Sequence, residues 1–149
     1  MEPKMILFIG IQASGKSSFY RKYLSDYEYI SLDVLNTRNK ERLAIEECIA
    51  KGKSFVIDNT NPTKADRKRY FDRIAGKDYQ AVGYFFRSVI SESIERNEQR
   101  TGKQYVPRCA IAATSNKLEM PTFEEGFTEL YYVYMKDGDF VVEEWREEA

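Results

Sequence analysis

The stretch Gly10-Ile11-Gln12-Ala13-Ser14-Gly15-Lys16-Ser17 decides the fold of this chain. It has the pattern G-x-x-x-x-G-K-S, it follows the apolar run 5–9, and it precedes a helical pattern that begins near Gly15. Glycine tolerates backbone conformations that let successive N–H groups converge on one anion, and a helix start adds unpaired amides and the positive end of its dipole. This stretch therefore predicts a loop that binds the phosphates of a nucleoside triphosphate.

The polar residues of the loop have distinct predicted roles. Lys16 is expected to reach the β- and γ-phosphates of ATP, and the Ser17 hydroxyl is expected to be a ligand of Mg²⁺. The backbone and the short side chains around them complete the nucleotide site. The residues predicted to bind the nucleotide are Gly10, Ala13, Ser14, Gly15, Lys16, Ser17 and Ser18.

The composition restricts the class of protein. The chain has 149 residues, of which 42% are hydrophobic, so we expect one domain over residues 1–149. It contains no apolar run of membrane-spanning length, two cysteines (Cys48 and Cys109) and no histidine, which argues against a zinc site of the usual kinds and favours a cytoplasmic protein with free thiols. Without histidine, a general base must be a carboxylate, Lys, Tyr or Cys.

Strand and helix patterns alternate along the chain. Strands are predicted at residues 5–9, 27–32, 54–57, 79–86, 128–135 and 140–145, and helices at 18–24, 39–51, 63–76, 88–100 and 107–118. This alternation predicts a three-layer α/β fold with a mostly parallel central sheet and a helical lid at about residues 96–120. Ligands bind such sheets at the carboxyl ends of the strands, where Gly10, Asp33, Asp58 and Arg87 are expected.

Other classes of phosphate-loop protein lack support in the sequence. The guanine-recognition pattern N-K-x-D and the switch pattern D-x-x-G are both missing, which leaves a small phosphotransferase. Such an enzyme needs an acceptor base, a metal partner and a cationic lid. Asp33 is the candidate base and Asp58 the candidate partner of Mg²⁺, although both residues could instead be turn or helix-cap aspartates.

Two arginines are candidates for the lid. Arg96 and Arg100 are four residues apart in a predicted helix, which would place both side chains on one face before the loop 101–106. A lid arginine can neutralise the charge that develops on a transferred phosphoryl group. A solvent-exposed surface pair is the alternative, and Arg100 is the stronger of the two candidates.

Two further motifs connect the chain to a known family. The strings I-D-N-T-N-P at 57–62 and M-P-T-F-E-E-G-F at 120–127, together with the candidate base and lid, resemble the 5′-kinase domain of polynucleotide kinases. The resemblance runs from the phosphate loop to about Val133. It implies a P-loop kinase fold and transfer of the γ-phosphate of ATP to a 5′-hydroxyl nucleic acid end, either DNA or RNA.

The same resemblance implies roles for individual residues. Asp33 would be the general base, and Lys16 and Arg100 would contact the transferring phosphoryl group. Thr60 and Asn61 would lie near the acceptor, and Arg38 would contact its phosphate.

Departures from the family pattern leave the acceptor open. Leu32 stands where eukaryotic members have Arg, and Asn36 stands where phage members have Arg. The alternatives are a small metabolite, nucleoside or aminoacyl-tRNA as acceptor, or a nucleotide-binding regulatory module without turnover. The basic residues Lys64, Arg67, Lys68, Arg69 and Arg73 form either a groove wall for a phosphate backbone or the solvent face of a helix.

Overall fold

A six-stranded sheet forms the centre of the computed structural model, which describes residues 2–102 and 105–147. The strands are β1 (Lys4–Ile9), β2 (Glu28–Ile30), β3 (Phe55–Ile57), β4 (Gln80–Phe86), β5 (Glu129–Lys136) and β6 (Asp139–Glu144). Their order in the sheet is β2-β3-β1-β4-β5-β6, and all neighbours are parallel except β5 and β6. The predicted mostly parallel sheet is confirmed.

Helices connect the strands. They are α1 (Lys16–Tyr23), α2 (Leu32–Leu35), α3 (Arg38–Lys51), α4 (Lys64–Ile74), α5 (Ile90–Asn97) and α6 (Arg108–Lys117), with a 3-10 helix at Phe123–Glu125. Local signals account for several ends: Thr63 caps α4 by accepting the N–H of Asp66, and Gly52 ends α3 with φ of 65°. No helix in the two described ranges is long and apolar enough to cross a membrane.

Both faces of the sheet are buried. In β1, Met5, Leu7 and Ile9 belong to one core cluster, and Ile6 and Phe8 belong to the other. The first cluster includes side chains of α3 and α4, and the second includes Phe19 of α1. A strand that is covered on both faces must be apolar at every position, which explains the continuous apolar run before the phosphate loop. The three-layer arrangement is therefore confirmed.

The region around Asp33 differs from the prediction. Strand β2 ends at Ile30, and Asp33 lies in the first turn of α2 rather than at the end of a strand. The physical reason is the Ser31 side chain, which accepts the N–H of Asp33 and so starts a helical turn.

The lid region also differs in part. Helix α6 spans nearly the predicted residues, but α5 ends at Asn97, so Arg100 lies beyond the helix and shares no helix face with Arg96. The side chain of Asn97 donates to the Val106 carbonyl and accepts the Val106 N–H, which ties the end of α5 to the segment before α6. Ser88 does not cap α5, because its hydroxyl donates to the Phe86 carbonyl.

Candidate active site

The phosphate loop has the backbone that its glycines predict. Gly15 precedes α1 with φ of 100°, in the left-handed region that disfavours residues with a Cβ atom. A Cβ at this position would also overlap the methyl group of Met135 and lie 3.1 Å from the ring of Phe140. The positive φ therefore favours glycine here, whereas the Met135 methyl group is the end of a flexible side chain and could move away from a Cβ atom.

The amides of this loop are available for a ligand. Gly10 N–H donates to the Thr60 carbonyl at 3.0 Å, and Ile11 N–H donates to the Ser88 hydroxyl at 3.1 Å, so the start of the loop is held by the segments after β3 and β4. Within the described residues, no hydrogen bond is made by the backbone N–H groups of residues 12–18. A run of unused amides at a helix start fits the phosphates of a nucleotide.

Lys16 is a buried cation held by its own loop. Its ammonium group donates to the Ile11 carbonyl at 2.8 Å and to the Gly10 carbonyl at 3.2 Å, and the residue is only 8% exposed. Burial lowers the pKa of Lys16 to about 8; the negative charges of Asp58 and Asp33 oppose this shift, and the positive charge of Arg100 adds to it. These four charged groups therefore lie close enough to interact.

Ser17, Asp58 and Tyr29 form a hydrogen-bonded group beside the loop. Oδ2 of Asp58 accepts the Ser17 hydroxyl at 2.7 Å and the Tyr29 hydroxyl at 2.5 Å. Burial and the neighbouring Asp58 carboxylate raise the pKa of Tyr29 to about 12, so the tyrosine is a neutral donor. Sequence reasoning missed Tyr29, since its contact depends on the pairing of β2 with β3.

This group fits the predicted Mg²⁺. Mg²⁺ prefers oxygen ligands and usually takes few from the protein, with water and substrate phosphates supplying the others. The Ser17 hydroxyl and the Asp58 carboxylate are such oxygens, 2.7 Å apart. Among the residues that the structure describes, no cluster of three or more His, Cys, Asp or Glu could hold a metal by itself. A metal bound here would therefore depend on the nucleotide.

Asp33 and Arg100 interact electrostatically with the phosphate loop. Asp33 is exposed to solvent on α2. Burial lowers the pKa of Arg100, while the carboxylates of Asp33 and Asp58 act in the opposite direction. This arginine therefore lies within electrostatic range of both carboxylates, even though it is outside α5. An exposed carboxylate and a cation thus interact electrostatically with the lysine of the phosphate loop.

The lid helices contact the loop directly. Arg96 on α5 donates to the Ala13 carbonyl at 3.0 Å, and Gln12 donates to the Thr114 hydroxyl of α6 at 2.9 Å. Arg96 therefore supports the loop backbone, whereas Arg100 interacts with the aspartates. The i and i+4 spacing could not reveal this difference.

The three residues predicted to bind the acceptor lie in different surroundings. Asn61 is buried at 4% exposure, and its amide donates to the Phe8 carbonyl at 2.7 Å, which does not support contact with an acceptor. Thr60 is half-buried and fixes Gly10 through its carbonyl group. Arg38 is half-exposed and donates to Glu41 at 3.0 Å and to the Tyr70 hydroxyl at 2.9 Å.

A buried polar network connects these elements. The side-chain oxygen of Asn59 accepts the N–H of Leu32 at 3.0 Å, and its amide donates to Glu41 at 2.9 Å and to the Tyr70 hydroxyl at 3.0 Å. Glu41 is 2% exposed, so this carboxylate depends on its protein partners. The network fixes the peptide next to Asp33 to both α3 and α4. Sequence reasoning missed it because its members are 11 to 29 residues apart.

Comparison with known proteins agrees with this geometry. A family model described as an AAA domain matches residues 5–121. The chain belongs to this AAA-domain family. The bifunctional polynucleotide phosphatase/kinase of Schizosaccharomyces pombe is 29% identical over 154 aligned residues, which cover 97% of this chain and 37% of that relative. The chain thus spans little more than a third of that relative's length, and the resemblance stated above is confirmed.

Solved structures share the fold of this AAA-domain protein. A gluconokinase from Sinorhizobium meliloti aligns with a TM-score of 0.63 and 21% identity, over 89% of this chain and 83% of that one. Chaetomium thermophilum Kti12, in complex with ADP-AlF3, aligns with a TM-score of 0.69 and 16% identity, over 89% of this chain and 90% of that one. The fold is that of a P-loop kinase.

This P-loop domain has an arginine-rich groove between α3 and α4. The groove has a volume of about 340 Å³ and is lined by Arg38, Asn39, Glu41, Arg42, Ile45, Arg69, Tyr70 and Arg73. Arg69 and Arg73 are exposed, and neither makes an ion pair or hydrogen bond within the part of the chain that the structure describes. Tyr70 and Glu41 belong to the network that reaches Leu32. Through Asn59, the groove is therefore hydrogen-bonded to the peptide that precedes Asp33.

Arg67 does not belong to this basic surface. It is fully buried, donates to both carboxylate oxygens of Glu125 at 2.7 and 3.2 Å, and donates to the Asn61 carbonyl at 2.9 Å. Glu125 also accepts the N–H of Thr122 at 2.8 Å. Part of the second motif therefore holds α4 in place, and the expectation that Arg67 faces solvent or a bound backbone was wrong.

Proposed function

We propose that this P-loop kinase transfers the γ-phosphate of ATP to the 5′-hydroxyl end of a polynucleotide. The observation that carries the proposal is the arginine groove, two of whose lining residues are hydrogen-bonded through Asn59 to the peptide before Asp33. The name of the Schizosaccharomyces pombe relative supports the same acceptor class.

The proposed reaction is an in-line phosphoryl transfer. The 5′-oxygen forms a bond to the γ-phosphorus, the bond between that phosphorus and the β–γ bridging oxygen breaks, and ADP leaves. Asp33 accepts the proton of the hydroxyl group. Lys16 and Arg100 stabilise the negative charge on the phosphoryl oxygens.

The remaining loop residues would hold the nucleotide. The free amides of residues 12–18 bind its phosphates, and Arg96 maintains the loop through the Ala13 carbonyl. Mg²⁺, held by Ser17 with Asp58 beside it, would neutralise phosphate charge. Asn61 supports β1, and Thr60 supports Gly10, so both act on the site through the backbone.

The charge of the groove favours a polynucleotide over a small neutral acceptor. Four arginines line it, and two of them have no carboxylate partner within the described residues. A nucleic acid strand carries one phosphate per nucleotide, and arginine binds phosphate oxygens in bidentate geometry. A sugar would leave these guanidinium groups without a counter-charge.

A small hydroxyl compound is the second candidate acceptor. Leu32 favours it, since the arginine of eukaryotic family members is absent there, and the shared fold with a gluconokinase is compatible with it. Such an acceptor would use the same base and loop but would not need Arg69 and Arg73.

A labelling experiment distinguishes the two acceptors. The protein is incubated with ATP labelled at the γ-phosphate and with DNA or RNA oligonucleotides that carry a 5′-hydroxyl. The same oligonucleotides with a 5′-phosphate are the matched control, and gluconate and free nucleosides are tested in parallel. We expect label on the 5′-hydroxyl strands alone. Label on a small acceptor, with none on any strand, would contradict the proposal.

A further inference from the structure

The carboxylate of Asp58 is held at a single oxygen atom. Both hydrogen bonds from Ser17 and Tyr29 reach Oδ2, at 2.7 and 2.5 Å. No hydrogen bond to Oδ1 occurs within residues 2–102 and 105–147. Two donors on one oxygen fix the plane of the carboxylate and leave the other oxygen available for a further ligand.

Tyr29 is itself rigidly placed. It lies in β2, where the parallel pairing with β3 aligns Tyr29 with Val56 and Ile30 with Ile57. Its ring packs against the Tyr20 ring with centroids 4.4 Å apart. Its hydroxyl also lies 3.4 Å from the Ser17 hydroxyl. The sheet and the aromatic contact therefore determine where the hydroxyl can donate.

We propose that Tyr29 is a positioning residue for magnesium-dependent nucleotide binding, acting through Asp58. The inference rests on the part of the proposed function in which ATP and Mg²⁺ bind at this loop. The Tyr29 hydroxyl keeps Oδ2 of Asp58 next to Ser17, so that the Ser17 hydroxyl and the free Oδ1 atom would be available to Mg²⁺ or to its water ligands. Residues that orient the partners of a metal site commonly change metal affinity 10- to 100-fold when they are removed.

The test compares nucleotide binding with and without the metal. The Kd of a non-hydrolysable ATP analogue is measured by calorimetry in EDTA and in saturating Mg²⁺, and the ratio of the two values gives the gain from the metal. Tyr29→Phe keeps the ring and its contact with Tyr20. We expect this ratio to fall about tenfold in Tyr29→Phe, with the Kd in EDTA changed less than about twofold.

Tyr20→Phe is the matched control. It removes the hydroxyl of the other ring in the pair, which donates to the Tyr27 carbonyl rather than to Asp58. The ratio of the Kd in EDTA to the Kd in Mg²⁺ should be the same in Tyr20→Phe as in the wild-type protein. A Tyr29→Phe ratio within twofold of the wild-type ratio, or an equal loss of affinity in EDTA and in Mg²⁺, overturns the proposal.

A double-mutant cycle tests the route through Asp58. In an Asp58→Asn background, Tyr29→Phe should change the ratio by less than about twofold, because the two residues act as one unit. If Tyr29→Phe lowers the ratio as much in the Asp58→Asn background as in the wild-type protein, the proposal is overturned. Thermal melting of each variant checks folding, and since no acceptor is present, a failure to phosphorylate oligonucleotides does not affect the outcome.

Discussion

At the scale of single residues, Lys16 is the central electrostatic feature. A buried ammonium is unfavourable unless it is hydrogen-bonded, and here the carbonyl groups of Gly10 and Ile11 supply the nearest partners. Burial lowers its pKa to about 8, so the charged form is present at neutral pH but is lost in moderately alkaline solution. A bound triphosphate would favour the charged form and raise the pKa again.

This shift predicts a pH dependence of nucleotide binding. As the pH rises through about 8, the free protein loses the Lys16 proton, and binding of ATP must then take one proton up. The Kd for ATP should therefore increase about tenfold between pH 7 and pH 9. Calorimetry at pH 9 in two buffers of different ionisation enthalpy should show that ATP binding is accompanied by the uptake of nearly one proton. Lys16→Met, which cannot titrate, should show neither effect; the same pH dependence in this variant would contradict the assignment.

At the scale of elements, α4 connects the groove to the polar network around Asn59. Its buried side supplies Arg67 to Glu125 and Tyr70 to the Asn59 network, and its exposed side supplies Arg69 and Arg73 to the groove. A displacement of this helix would therefore disturb both the groove and the peptide next to Asp33. The buried ion pair determines the position of the helix.

Breaking this ion pair should destabilise the fold. Glu125→Ala leaves the fully buried Arg67 without its carboxylate and should lower the free energy of unfolding by about 3–5 kcal/mol. Glu124→Ala, at the exposed neighbouring position, is the control and should change it by less than about 0.5 kcal/mol. Urea denaturation measures both values. Equal effects of the two substitutions would show that the pair does not hold α4.

The sequence predicted those elements whose ends have local signals. Gly52 ends α3 and Thr63 caps α4, and each of these residues acts within one helical turn. The short α2 and the end of α5 were missed, because Ser31 was included in a strand and because Asn97 is bonded to Val106, nine residues away.

The same distinction applies to the candidate site. The phosphate-loop residues and Asp58 follow from a motif and from the end of an apolar strand, and the structure shows Lys16, Ser17 and Asp58 together. Tyr29, Asn59 and Glu41 could not be found in this way. Their partners belong to other elements, and only the strand order and helix packing bring them into contact.

At the scale of the whole molecule, the strand order assembles the site. Strand β1 lies between β3 and β4, and all three are parallel, so the phosphate loop emerges between Asp58 after β3 and Ser88 after β4. The groove between α3 and α4 lies on one side of the sheet, since both helices pack on the same core cluster. In the proposed function, a long acceptor would contact the groove while its end lies at Asp33.

The groove predicts a salt dependence of oligonucleotide binding. An Arg69→Ala/Arg73→Ala protein should bind a single strand more weakly, and the slope of log K against log salt concentration should decrease by about 1.4, since each lost phosphate contact contributes about 0.7. Lys64→Ala/Lys68→Ala removes the same charge from the same helix, outside the groove lining, and should leave the slope nearly unchanged. Fluorescence anisotropy at several salt concentrations provides the slopes. Equal slopes for the two double variants would show that the groove is not the binding surface.

The most direct test of the central claim is the single-turnover rate of Asp33→Asn with ATP and a 5′-hydroxyl oligonucleotide. General-base assistance is commonly worth 10²–10⁴-fold, so the rate should fall by about that factor while the Kd for ATP changes less than about twofold. Asp26→Asn, an exposed carboxylate between α1 and β2, should retain the wild-type rate. A wild-type rate in Asp33→Asn would contradict the account, because the proton acceptor would then be another group.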